Sequence, residues 1–155
     1  MSCPRLPVLV IAACVAAGCL PAGAQEWRAG EGAGGARAFF TLGGRPAGLE
    51  FACEGRGTIR TIVAGNGAQF PGGRDLTLAL VVDGTAHVTS VRAEAEPNGA
   101  GSRFVRCDAA AALAPLIAAL AKGKTLEVAG PTGLVALPLK GSGKAMARLA
   151  SGCGG

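Results

Sequence analysis

Between residues 38 and 107 the chain is a succession of short apolar runs separated by turn residues. Six runs, at residues 38–42, 49–53, 58–63, 76–82, 86–93 and 103–107, are short enough and bounded tightly enough to read as strands. The separators include Gly43-Gly44-Arg45-Pro46, Gly65-Asn66-Gly67, Pro71-Gly72-Gly73 and Pro97-Asn98-Gly99. Connections this short imply antiparallel pairing. Alternation in residues 49–53 sets Leu49, Phe51 and Cys53 on one face, so one side of the sheet is expected to be dry. Asp83-Gly84 between two apolar strands predicts a tight hairpin, because a type I′ turn needs positive φ at both centres.

After Cys107 the period changes from two to about 3.6. Leu113, Leu116, Ile117 and Leu120 form the stripe of an amphipathic helix near residues 109–122, stopped at Gly123. Asp108 is placed to cap its start, and Pro115 predicts either a kink or a helix that begins there. Two further strands, at residues 125–128 and 134–139, are joined by Gly130-Pro131-Thr132-Gly133. Ser142 is expected to cap a final helix near residues 142–151, with Met146, Leu149, Ala150 and Cys153 on one face. Residues 25–37 are rich in glycine and read as a loose lead-in to one β-rich domain over residues 38–155. The expected class is α+β, a mostly antiparallel β-sheet or sandwich with two C-terminal helices.

The 155 residues leave room for one domain. Half of them are hydrophobic and 16% are charged, a balance that favours folding over disorder. Aromatic residues make up only 4%, which weakens any case for stacking onto unpaired bases.

The first 24 residues have the layout of a secretory signal peptide. A basic start to Arg5 leads into an uncharged apolar run, and Ala22 and Ala24 are the small residues of a cleavage site before Gln25. An alternative lies in Ala16-Ala17-Gly18-Cys19, which resembles a lipoprotein box and would tether the protein through a lipid on Cys19. Either route leads out of the cytoplasm, so a periplasmic or secreted protein is expected, or a membrane-tethered one. No later stretch is long and apolar enough for a transmembrane helix. Removal of residues 1–24 leaves 14 basic and 10 acidic residues, a net charge of +4. These charges fall in different segments and form no basic stripe, so no nucleic-acid partner is expected.

Cys53, Cys107 and Cys153 follow the leader, an odd number in an export context that permits disulfides. Cys53 and Cys153 both fall on inward faces of their elements and are the preferred pair, with Cys107 a competitor for either. One histidine and no CxxC pair argue against a metal site. A hydrolase would have to use His87, the sole histidine, yet no GxSxG elbow presents a nucleophile and Asp83 belongs to the turn. His87 is therefore read as a solvent-facing strand residue. The carboxylate pairs Glu50 with Glu54 and Glu94 with Glu96 fall on the polar face of their strands and are read as serving solubility. Gly30, Gly32 and Gly35 satisfy GxGxxG by count but precede the strands, so no helix N-terminus receives a pyrophosphate. No catalytic residue and no cofactor is expected.

The segments LIAALAKGKTLEV (residues 116–128) and LVALPLKGSGKAMARL (residues 134–149), with Trp27 near the mature start, carry a resemblance. Through them the C-terminal third of the chain resembles the end of the invasion-associated locus B family of small exported bacterial proteins. The resemblance implies a non-catalytic envelope protein of β-rich fold. The function expected is thus binding or structural support in the envelope, with an envelope or extracellular protein as partner.

Overall fold

The computed structural model describes residues 24–154. The signal peptide over residues 1–24 and the lipidation candidate Cys19 lie outside the described residues, save Ala24.

Nine strands and two helices follow one another. They are β1 (Glu26–Gly32), β2 (Gly35–Leu42), β3 (Arg45–Cys53), β4 (Thr58–Val63), β5 (Asp75–Val82), β6 (Thr85–Ala95), β7 (Ser102–Ala109), α1 (Ala110–Lys122), β8 (Thr125–Gly130), β9 (Gly133–Pro138) and α2 (Ser142–Cys153). All named strands belong to one antiparallel sheet in the order β1-β2-β3-β4-β7-β6-β5-β8-β9. The architecture is α+β with both helices in the C-terminal third, and the sheet is single rather than two stacked sheets of a sandwich. Its ends approach each other, for the Trp27 amide of β1 donates to the Lys140 carbonyl just beyond β9, at 2.8 Å.

One sheet face is apolar and carries Phe51, Phe104, Leu49, Ile59, Leu78, Leu80 and Leu126, all nearly inaccessible. Leu116, Ile117 and Leu120 of α1 and Met146, Leu149 and Cys153 of α2 complete this core. Cys53 and Cys153 are joined, with Cα atoms 5.6 Å apart, so the covalent link ties the last turn of α2 to the end of β3. Only a pair with Cα atoms within about 7 Å can be bridged without moving the backbone. Cys107 is free and exposed.

Four local readings differ from the sequence expectation. The Gly-rich lead-in is not loose: residues 26–32 and 35–42 form a β-hairpin. Trp27 explains this, since its ring is buried against Phe40 and Phe51, with centroids 6.1 and 6.2 Å away. Ser142 does not cap α2. The cap is Gly141 at φ 82°, and the Ser142 hydroxyl instead donates to the Leu139 carbonyl at 2.7 Å. A Cβ at Gly141 would also lie 2.6 Å from the Trp27 carbonyl oxygen, so glycine is required there on two counts. On α2, Ala145 is buried with Met146, Leu149 and Cys153, and Ala150, expected on that face, is exposed. Helix α1 runs unbroken through Pro115, and Ala109 at its cap position supplies no side-chain cap, Asp108 being engaged elsewhere.

Candidate functional site

The ladder between β6 and β7 stops before the strands do. Pairing runs from Ala95↔Ser102 to Arg92↔Val105 and ends there, although β6 starts at Thr85 and β7 continues to Ala109. Over this stretch β6 pairs only with β5, and β7 only with β4. A cleft of about 400 Å³ opens between the two strands and α1. Leu78 and Leu80 of β5, and Leu113, Pro115 and Leu116 of α1, give it apolar walls. Thr61, His87, Thr89, Arg106 and Asp108 supply its polar groups.

Strand alternation explains which side chains enter. His87 and Thr89 share parity with buried Val91 and Ala93, and Arg106 and Asp108 share parity with buried Phe104. His87 is therefore not solvent-facing, as its polar character suggested, but half-buried on the inner face opposite Leu80.

The arginine is held firmly. Arg106 Nε donates to both oxygens of Asp108, at 2.8 and 2.7 Å, and a terminal nitrogen lies 2.7 Å from Oδ1. Its other terminal nitrogen donates to the Ser90 carbonyl and hydroxyl, each at 3.2 Å. Arg106 thereby satisfies a backbone acceptor on the β6 edge that the broken ladder leaves bare. The Asp108 hydrogen bond stabilises the charged guanidinium and raises its pKa further above the ordinary range, against an opposing desolvation.

His87 is held differently. Its Nε2 is buried and has no hydrogen-bond partner. Asp108 is occupied by Arg106, so the cleft gathers a histidine, a carboxylate and two threonine hydroxyls without linking them as a catalytic relay requires.

Elsewhere the fold gathers charges that are scattered along the sequence. Arg37 meets Glu50 across β2 and β3 at 3.4 Å, and Arg60 meets Glu54 at 2.7 Å. Glu94 accepts from both Arg60 and Arg103, and Arg92 pairs with Asp75 at 3.0 Å. These residues cover the outer face of the sheet. Glu50, Glu54 and Glu94 are thus matched to arginines rather than to one another or to solvent alone. A hollow of about 500 Å³ on that face is lined by Arg60, Asp75, Arg92 and Glu94, whose charges already satisfy each other. The Cys107 thiol lies 3.5 Å from Glu54 Oε2. Burial, then that carboxylate, pushes its pKa up, the opposite of an activated nucleophile. Among the described residues, no group of three His, Cys, Asp or Glu side chains could hold a metal ion, and no helix is long and apolar enough to cross a membrane.

The fold and site define a one-sheet α+β domain with a mixed apolar and polar cleft under its first helix. No family model and no curated protein matches the chain. Among solved structures it is similar to the crystal structure of invasion associated protein B from Bartonella henselae. The two are 18% identical, with a TM-score of 0.48, over 82% of this chain and 93% of the other. This is a weak structural resemblance.

Proposed function

We propose that the protein is a small exported bacterial envelope protein that acts by binding rather than by catalysis, and that the cleft between α1 and β6 is its binding site. The observation that carries the reading is the early end of the β6–β7 ladder, which leaves a cleft of about 400 Å³ between these strands and α1. Of its polar groups, Asp108 is committed to Arg106. His87 Nε2 is bonded to no hydroxyl, so the cleft holds no preformed pair of nucleophile and histidine base. Export is supported by the leader pattern of residues 1–24 and by the Cys53–Cys153 bond, which belongs to oxidising compartments.

The test is a panel of ester, amide and glycoside substrates offered to the purified oxidised protein and to His87→Ala. No turnover by either is expected. Turnover by the parent protein that disappears in His87→Ala would establish the hydrolase instead.

A second reading, docking of an envelope or extracellular protein, is favoured by the edge strand β9, where Leu134 and Val135 are 69% and 46% exposed. Unpaired edge strands with apolar side chains recruit further strands. A photo-crosslinker at position 134 is expected to yield one adduct of defined mass in intact cells, and its absence removes this reading.

A further inference from the structure

We infer that β9 docks a second copy of this chain, the two β9 strands pairing antiparallel about a two-fold axis at Val135. This rests on the reading of β9 as a docking edge and names the partner.

The direction of the backbone comes first. In an antiparallel ladder, successive residues turn their amide and carbonyl alternately toward one neighbour and the other. The Leu139 amide donates to the Lys124 carbonyl at 3.1 Å, whereas the carbonyl of the next residue, Lys140, accepts from the Trp27 amide of β1 on the opposite side. Gly133, Val135 and Leu137 share the parity of Leu139 and face β8; Leu134, Ala136 and Pro138 share that of Lys140 and turn outward. Strand β1 therefore engages this outer edge only at Lys140. β9 stands last in the sheet, and among the described residues nothing pairs with the outward main chain of Leu134 or Ala136, both exposed.

The two edges of the sheet differ in chemistry. β1 carries Glu26, Arg28 and Glu31, held in the Arg28–Glu26 and Arg148–Glu31 ion pairs, and charges of this kind keep an edge from recruiting another strand. β9 reads GLVALP and has no charge. Its Val135 lies in one row with buried Val128 and Leu80 yet is 46% exposed, so the core ends there on an uncovered apolar side chain.

A second copy meets each of these features. Antiparallel pairing centred on Val135 sets Leu134 opposite Ala136 of the second copy, and each such pair exchanges both of its N–H···O bonds. Large Leu134 then stands against small Ala136, and Val135 meets its own counterpart in a close pair that covers the exposed side chain. The contact involves 6 residues of each copy, which places it below the roughly 1,200 Å² of stable complexes, so the dimer is weak and depends on concentration.

Sedimentation velocity of the purified oxidised protein, from about 10 μM to about 1 mM, is expected to show a monomer–dimer equilibrium. Ala136→Pro deletes an outward amide and leaves the β8 ladder intact, so it should weaken dimerisation about tenfold with little change in melting temperature. Cysteine placement tests the register independently. In a Cys107→Ser background, Val135→Cys should form a disulfide-linked dimer on mild oxidation, because its copies stand directly opposite with Cα atoms about 4.5 Å apart. Leu134→Cys should not, since its copies are diagonal neighbours about 7 to 8 Å apart. A monomer throughout that range, a dimer that Ala136→Pro leaves unchanged, or cross-linking of Leu134→Cys in place of Val135→Cys overturns the second copy as partner. The photo-crosslinker at position 134 separates this failure from that of the docking edge. An adduct of twice the chain mass is expected; an adduct of another mass replaces the second copy by a different protein on the same edge, and no adduct removes the docking edge and the dimer together.

Discussion

Asp108 grips Arg106 through both carboxylate oxygens, and the guanidinium so held reaches across to Ser90, where the β6–β7 ladder has already ended. One side chain thus ties the two strands together beyond the end of their ladder. Asp108 is 14% exposed and Arg106 36%, so the pair is only partly screened. Asp108→Ala leaves the guanidinium without its anchor and should lower stability by about 1 to 2 kcal/mol in urea melts. Equal midpoints for Asp108→Ala and the parent protein would show that the pair does not support the fold.

The Cys53–Cys153 link spans 100 residues of sequence. In the chain-entropy model a loop of that length stabilises by about 4 to 5 kcal/mol, and losing a native bridge from a small secreted domain typically costs 2 to 5. Reduction, or Cys153→Ser, should therefore lower the denaturation midpoint markedly. Helix α2 should nevertheless remain docked, because Met146 and Leu149 are fully buried. Cys107→Ser should change neither. Identical midpoints with and without reductant would contradict a stabilising bridge.

Asp83 sits at the β5–β6 turn with φ 46°, and its carboxylate accepts from the Thr125 amide at 2.9 Å, the Lys124 amide at 3.1 Å and the Thr125 hydroxyl at 3.0 Å. These bonds, the Thr125 amide first, hold its pKa below the ordinary aspartate value of 3.8. The folded pKa is depressed, so the stabilisation is complete above 3.8 and is lost as pH falls through the folded value. The melting-temperature gap between the parent protein and Asp83→Asn should be widest near neutral pH and close as pH drops below 3.8. A gap that stays constant through that range would mean the carboxylate charge is not what holds the turn.

Processing of the leader separates the two export routes. Cleavage before Gln25 yields an unmodified chain in the soluble fraction, the outcome expected here. An intact mass that begins at a lipid-bearing Cys19, with partition into membranes, would replace it.

Alternation carried much of the fold in the sequence. Leu49, Phe51 and Cys53 lie on the dry face, and Asp83-Gly84 forms the tight turn, because both depend on local parity and backbone freedom. Strand β1 was not legible. EWRAGEG alternates only over Glu26 to Ala29 before glycines interrupt it, and its Trp27 packs against Phe40 and Phe51 of the neighbouring strands. The cleft was half legible. Parity alone groups His87 with Val91 and Ala93, but Val88, an apolar residue of the opposite parity, is 68% exposed and confuses the pattern. The end of the β6–β7 ladder, which turns an inner face into a cleft, depends on partners far apart in sequence and leaves no local mark. The outer-face ion pairs are invisible for the same reason: Arg60 and Glu94 meet only once β4, β7 and β6 lie side by side.

Binding of a small molecule in the cleft beneath α1 is measured with Nile red, an uncharged solvatochromic dye, titrated into the purified oxidised protein and into Ala112→Trp. Ala112 lines the cleft yet is exposed, so an indole there obstructs the opening without entering the core. A saturable blue-shifted emission is expected in the parent protein, with affinity at least about tenfold lower in Ala112→Trp and an unchanged melting temperature. Saturable binding of equal strength in both proteins, or none in the parent, would rule out the cleft as a binding site.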